Sequence, residues 1–346
     1  MSATFLSAVQ KRQPSMSEPP QLGEPVTCAN TPSVISQPKV IDSAVHVWSD
    51  GTPPFPWEGA PPPEALQSVA THESLAQLAR QAGVAGALIV QPSIHKYDHA
   101  YVTAALRAHP DLYRGMCLAN PTLEPEAAVA ELARLHAEGF VGVRFNPYLF
   151  RDGMDSPVGH ALYKKAGELK MPVGVMCFQG LLPQLPAITA LLDASPATTL
   201  IVDHFGFFRQ PSTGGLHGAA AANDEAAWKA LLMLAARAQV HVKVSAFFRA
   251  SAEPPPHNDL QQRLQQLLSI YGATRLLWGS DFPFVLHGGK PSREAQAARE
   301  ACFGNEDHGP AYAQAAGMVA AWQLPGLDED AMAQLMGGTA QRLFGF

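Results

Sequence analysis

From Lys39 onward, short runs rich in β-branched residues alternate with longer Ala/Leu-rich amphipathic stretches. That alternation limits the possible folds more than any other feature of the chain. The strand-like runs are 40–47, 84–90, 113–118, 140–146, 172–178, 199–204, 240–246 and 274–280. Helical spacing of apolar residues falls near 72–82, 98–109, 125–138, 158–170, 181–194, 224–238 and 258–271, with stop signals at Gly139, Pro172 and Gly272. Strands that alternate with helices imply right-handed parallel crossovers, and eight of them predict a closed (β/α)8 TIM barrel. A doubly wound open sheet is the other arrangement such a pattern permits. No GxGxxG follows the first strand, so a dinucleotide site has no support. Residues 291–346 read as helical and loop-rich and are expected to pack outside the barrel.

Composition narrows the class. Hydrophobic residues are 47% of the 346 and charged residues 16%, which excludes a disordered polyelectrolyte and predicts a large core. Lys+Arg 24 against Asp+Glu 30 gives a net charge of −6, a poor match to nucleic acid or an anionic membrane. The four cysteines, Cys28, Cys117, Cys177 and Cys302, are widely spaced and suggest neither a disulfide framework nor a zinc knuckle. No apolar run is long enough to cross a bilayer. Residues 1–38 are rich in Ser, Thr, Pro and Gln without sustained periodicity, and read as a disordered leader or a transit peptide. The expected compartment is the cytoplasm, or a chloroplast or mitochondrion if the leader is a transit peptide.

In such a barrel the active site lies where strands end at their carboxyl side. Polar residues crowd those ends: Asp42 and His46 on the first strand, Arg144 and Asn146 on the fourth, Asp203 and His204 on the sixth, Ser280 and Asp281 on the eighth. Lys243 and Ser245 lie on the seventh. Side chains alternate along a strand, so Asp42, Ala44 and His46 should share one face. The same rule groups Arg144 with Asn146, Leu200 and Val202 with His204, and Leu277 with Asp281. If His46, Arg144, His204 and Asp281 all point inward, two imidazoles, a carboxylate and a guanidinium converge. Such a set can bind a metal or deprotonate a water beside an anionic substrate. Taken singly, each residue has a bland reading as a hydrogen-bonded strand end, a turn cap or an internal counter-charge.

At these residues the chain resembles the amidohydrolase-related family of TIM-barrel metal-dependent hydrolases. It is most similar to the branch holding lactonases of the 2-pyrone-4,6-dicarboxylate type and related plant and algal proteins. The resemblance spans residues 39–346 and rests on VIDSAVHVW (40–48), ALIVQP (87–92), GVRFNPYL (142–149), MCFQGL (176–181), VDHFG (202–206) and LWGSDFPF (277–284). The family's first-strand His-x-His is broken, because Ala44 precedes His46. The strand-five histidine is also missing, with Met176 and Cys177 at that level. The resemblance leaves His46, His204 and Asp281 as ligands for one divalent metal, zinc being the natural choice. A metal-free route is equally compatible, with Asp281 as general base and His204 and His46 positioning the water or the developing oxyanion. Arg144, with Lys243 or Arg249, would hold a substrate carboxylate, and Asn146, Tyr148 and Gln91 are further expected substrate contacts.

These readings imply a hydrolase of a small carboxylated lactone or ester, acting as a monomer or homodimer. The alternatives are a metal-dependent decarboxylase of a small aromatic or muconate-like acid, or a binder that has lost catalysis. Two further segments need placing. His95 and His99 lie four apart after the second strand, a spacing that binds zinc on a helix, but here they read first as a substrate-facing loop. The 52–63 segment, with Phe55 and Trp57, forms either a lid or an aromatic patch on the rim.

Overall fold

The computed structural model describes residues 39–209, 219–287 and 309–346. The expected leader at 1–38 lies outside them. Eight parallel strands stand in the order β1 to β8: β1 (Val40–Val45), β2 (Val84–Val90), β3 (Tyr113–Leu118), β4 (Phe140–Phe145), β5 (Val173–Val175), β6 (Leu200–Val202), β7 (Val240–Ser245) and β8 (Leu276–Gly279). The His46 amide donates to the Phe282 carbonyl at 2.7 Å and the Asp281 amide to Ala44 O at 2.9 Å, bringing β8 back to β1. The expected TIM barrel is what the chain forms.

Helices join the strands on the outside. Those used below are α2 (His72–Gln81), α4 (Pro125–Ala137), α7 (Ala219–Met233), α8 (Phe247–Ala250) and α9 (Gln261–Tyr271); α1 (Glu64–Gln67), α3 (Ala100–Ala108), α5 (Pro157–Glu168) and α6 (Leu185–Ala194) complete the series. Local sequence accounts for their limits. Thr71 caps α2 by accepting the Ser74 amide at 3.2 Å. Pro125 opens α4, and Gly139, at φ 104°, ends it in the left-handed region that costs glycine nothing. Val143, Phe145, Val173, Val175, Val202 and Val244 face outward into the layer beneath the helices. Ile41, Leu88, Val90, Met116, Ile201 and Leu277 fill the barrel interior.

The strand expectations hold with three instructive differences. β5 and β6 are shorter than expected, and β6 stops because His204 turns into the left-handed region at φ 50°. β1 carries a register shift between Asp42 and Val45. The bulge puts Ile41 in the interior and turns Asp42 away, so Asp42 and His46 do not share a face as alternation predicts. Asp42 instead accepts the Ser280 amide and the Tyr312 hydroxyl, each at 2.9 Å, stitching β1 to β8 and to the 309–317 helix.

The C-terminal region does more than pack outside. Ala340 and Phe344, with Leu343 and Phe346, join the interior cluster at the amino ends of the strands and plug the barrel from below. Gly86 and Gly142 leave space for that plug: a Cβ on Gly86 would come within 2.6 Å of the Phe346 ring. Among the described residues, no helix is long and apolar enough to cross a membrane.

Candidate active site

A cavity of about 700 Å³ opens at the carboxyl ends of the strands. Its floor carries His46, Arg144, His204 and Asp281, the four residues expected to converge. Asp281 Oδ1 lies 3.6 Å from His46 Nε2 and 3.7 Å from His204 Nε2. Its other oxygen, Oδ2, accepts from Arg249 Nε at 2.9 Å. One carboxylate oxygen is therefore clamped, and the other is presented to two imidazole edges.

The route to this convergence differs from simple alternation. His204 follows Val202 in parity, and Val202 faces outward, yet the left-handed backbone at His204 swings its ring back over the mouth. Asp281 has φ 63° as well. Four of the nine positive-φ non-glycine residues among those described, Lys96, His204, Phe207 and Asp281, line this one cavity. Such backbone persists where surrounding structure enforces it, typically at functional sites.

Second-layer contacts fix the rings. His46 Nδ1 is 2.8 Å from the Val90 carbonyl, which can only accept, so Nδ1 carries the hydrogen and Nε2 offers its lone pair to the cavity. His204 Nδ1 is 2.7 Å from Ser245 Oγ, a partner that can donate or accept. Burial drives the His46 pKa down to about 3, with the nearby Arg144 charge adding to the effect, and it drives His204 well below the usual histidine range. Both imidazoles are neutral at pH 7. Burial pushes Asp281 the other way, up to about 6, against the opposing pull of Arg249. Asp281 is thus ionised at neutral pH but a stronger base than an ordinary carboxylate.

Arg144 is held from behind. Its Nε and one terminal nitrogen donate to Asp203 Oδ2 at 3.2 and 2.8 Å, and Lys243 Nζ lies 3.2 Å from Asp203 Oδ1. Although burial opposes it, Lys243 and Arg144 together hold the Asp203 carboxyl far below the usual carboxylate range. Lys243 was expected to touch substrate. It is fully buried beneath Asp203 and does not line the cavity, so it acts on Arg144 from behind the wall. Its pKa is lowered by burial, with Asp203 working against that shift.

The other expected contacts divide. Gln91, Asn146 and Arg249 line the cavity. Tyr148 does not; its hydroxyl accepts the Gln179 amide at 2.8 Å and ties two rim loops together. His95 and His99 diverge: His99 Nε2 accepts the Leu118 amide, and His95 stacks on Tyr101. Lys96 and Tyr97 between them line the cavity. The 52–63 segment splits in function. Phe55 packs on Tyr101 and Trp57 donates to Ser49 O, while Gly59 through Pro63 form cavity wall. Sequence reasoning passed over Asp203 as the Arg144 partner, Ser245 as the His204 partner, and Lys96. The parity of 243 and 245 on β7 was the available signal for Ser245.

The residues present do not fit a metal ion as they stand. Among the described residues, no group of three His, Cys, Asp or Glu side chains is arranged to hold one. Ala44 and Met176 supply no imidazole, and Arg249 occupies one oxygen of Asp281, the only carboxylate among the described residues of the cavity lining. Cys177 is buried, and burial raises its thiol to about 12, so it offers no thiolate. Lys96, Arg144 and Arg249 face a single carboxylate, Asp281, across the described lining. That excess of positive charge suits an anionic ligand.

A His/His/Asp floor at the strand ends of a TIM barrel puts acid–base groups where this fold carries its active sites. Residues 41–346 match the Amidohydro_2 amidohydrolase family, and the chain belongs to it. It is a hydrolase of that family. It is 26% identical to the L-fucono-1,5-lactonase of Burkholderia ambifaria, across 70% of this chain and 80% of the relative. It is 25% identical to the 4-sulfomuconolactone hydrolase of Rhizobium radiobacter, across 70% and 75%. A Pseudomonas putida crystal structure, provisionally named a 2-pyrone-4,6-dicarboxylic acid hydrolase, superposes with TM-score 0.65 at 26% identity, covering 89% of this chain and 98% of the other. A zinc-bound Burkholderia multivorans amidohydrolase, 21% identical with TM-score 0.59 over 89% and 99%, shares the fold.

Proposed function

We propose that the protein hydrolyses a small carboxylated lactone or closely related ester, with Asp281 as the general base. The observation that carries this reading is the geometry of Asp281: one oxygen clamped by Arg249, the other facing two neutral imidazoles at 3.6 and 3.7 Å, with a pKa lifted to about 6. The lactone-hydrolysing relatives support it.

A water seated against Asp281 Oδ1 and His46 Nε2 passes a proton to Asp281 as its oxygen attacks the lactone carbonyl. With Ser245 donating to His204 Nδ1, His204 carries its hydrogen on Nε2 and donates to the developing oxyanion. Collapse of the tetrahedral centre breaks the ring C–O bond, and the departing alkoxide takes the proton back from Asp281. Arg144, backed by Asp203 and Lys243, binds the substrate carboxylate through its free terminal nitrogen, with Asn146 alongside, while Gln91, whose Nε2 donates to the Lys96 and Asp98 carbonyls, offers its Oε1 as an acceptor. A lactone is a better electrophile than an amide and needs less Lewis-acid help, which suits this donor set.

The test is a panel of carboxylated lactones followed by mass spectrometry. Hydrolysis adds one water, whereas decarboxylation releases carbon dioxide. Turnover by the wild type that is lost in Asp281→Asn supports the reading. No water addition across the panel, or full activity in Asp281→Asn, overturns it.

A further inference from the structure

Four large apolar side chains are conspicuously exposed among the described residues, and two of them, Leu149 at 38% and Phe178 at 40%, line the active-site cavity. The other two, Met233 and Ile270, sit on the outer helices α7 and α9. Isolated exposed hydrophobes are ordinary, but a pair on the wall of a cleft is where a ligand's apolar surface is buried. Leu149 and Phe178 belong to the loops after β4 and β5, and Met176, Leu118 and Phe207 are further apolar residues of the same lining.

This surface is built in advance. Asn146 Oδ1 accepts the Tyr148 amide at 3.2 Å, which sets the β4 loop. The Tyr148 hydroxyl accepts the Gln179 amide at 2.8 Å, and its ring lies 4.3 Å from that of Phe178. Phe178 is thus fixed at the rim with a solvent-facing side. The cavity, at about 700 Å³, also lies well within the roughly 300–1,000 Å³ of clefts that enclose drug-sized molecules, more room than a bare lactone ring demands.

We infer that the Leu149–Phe178 shelf is a subsite for an aromatic or similarly apolar substituent, so that the substrate is an aryl-bearing carboxylated lactone. This rests on the hydrolytic reading for the ring chemistry, while the shelf itself is a binding claim. The carboxylate goes to Arg144, the ring carbonyl to Asp281 and its water, and the aryl group projects toward Phe178 in the offset or edge-on geometry aromatic pairs prefer.

Two measurements separate the two claims. Calorimetric titration of the wild type compares 4-phenylbutyrate with butyrate. The expected result is at least tenfold tighter binding of the phenyl acid, with most of that increment lost in Phe178→Ala and butyrate binding unchanged. Equal affinities, or an increment that survives Phe178→Ala, overturn the subsite. In parallel, a carboxylated δ-lactone is assayed with and without a phenyl substituent, and the phenyl compound should have the higher kcat/KM. If neither lactone is hydrolysed while the phenyl increment persists, the hydrolytic reading falls and the subsite stands. If both are hydrolysed at equal kcat/KM, the subsite falls and the hydrolytic reading stands.

Discussion

The two ends of the barrel are built from opposite materials. At the amino end, Phe344 and Ala340 close over Ile41, Leu88, Val90, Met116, Ile201 and Leu277, and Arg114 lies against the plug, over the Phe346 ring and donating to the Gly345 carbonyl. At the carboxyl end, Arg144, Asp203, Lys243, His46, His204 and Asp281 are all buried, with a cavity above them. Backbone strain follows the same division. Between a helix and the next strand, left-handed backbone falls on Gly83, Gly139 and Gly272, with Lys170 the exception. At the mouth it falls on His204 and Asp281, whose side chains face the cavity. One end is assembled for stability, and the other spends stability on positioned polar groups.

The sharpest way to break this contrast is to remove the proposed base, Asp281. Asp281→Asn keeps the shape and relieves a buried charge, so the melting temperature should hold or rise while kcat falls about a thousandfold, within the usual range for a general base. A steady-state assay beside a thermal melt checks both halves. The mirror experiment is at the other end. Phe344→Ala should cost about 3–5 kcal/mol of stability in urea titration, because a buried ring leaves a cavity in the plug. The kcat of the folded fraction should stay within twofold. A large loss of kcat there would mean that the two ends are not separable.

How much of this was legible beforehand follows from the same division. Strand order, the barrel and the four converging residues are carried by local patterns: β-branched runs, helix stops and polar residues at strand ends. Four features were not. The bulge in β1 turns Asp42 toward Tyr312, a partner 270 residues away that no local pattern announces. His204 reaches the site through a left-handed turn that overrides alternation. Lys243 has the inward parity expected of it but lies below Asp203, and parity gives direction without depth. The C-terminal plug was missed because an apolar helix looks the same whether it packs outside the barrel or beneath it.

Within the mouth, smaller changes should separate substrate binding from chemistry. Arg144→Met removes the guanidinium facing the cavity and leaves Asp203 paired with Lys243. KM for a carboxylated lactone should rise about thirtyfold, the magnitude of a lost charge-assisted contact, with KM for an uncharged ester nearly unchanged. The pH profile isolates Asp281. Its pKa is raised to about 6, so the proportion of ionised base falls as pH drops through that value. At pH 5, kcat/KM should be about tenfold below its plateau above pH 7. His46, depressed to about 3, stays neutral across that range and should add no second limb. The acid limb should vanish with the residual activity of Asp281→Asn. If it persists there, the titrating group is another residue.

The smallest expected effect concerns the position where the family motif is broken. Ala44 is buried at the β1–β8 seam, its Cβ only 2.7 Å from where a side chain on residue 279 would begin, and Gly279 is what lets the strands approach so closely. After the bulge, Ala44 lies on the same side of β1 as His46. Ala44→His therefore adds an imidazole to the layer holding two others and a carboxylate. Without a metal, the added ring is a buried polar group short of partners and should cost about 1–2 kcal/mol. With zinc, it raises the donor set to three imidazoles and one carboxylate oxygen, a number that suits tetrahedral zinc. Zinc retained after dialysis, measured by mass spectrometry, should rise toward one per chain. The melting temperature should recover when zinc is added, because a ligand held only by the folded state stabilises it. If zinc content does not change, Arg249 keeps its hold on Asp281, and the mouth tolerates a new polar group without becoming a metal centre.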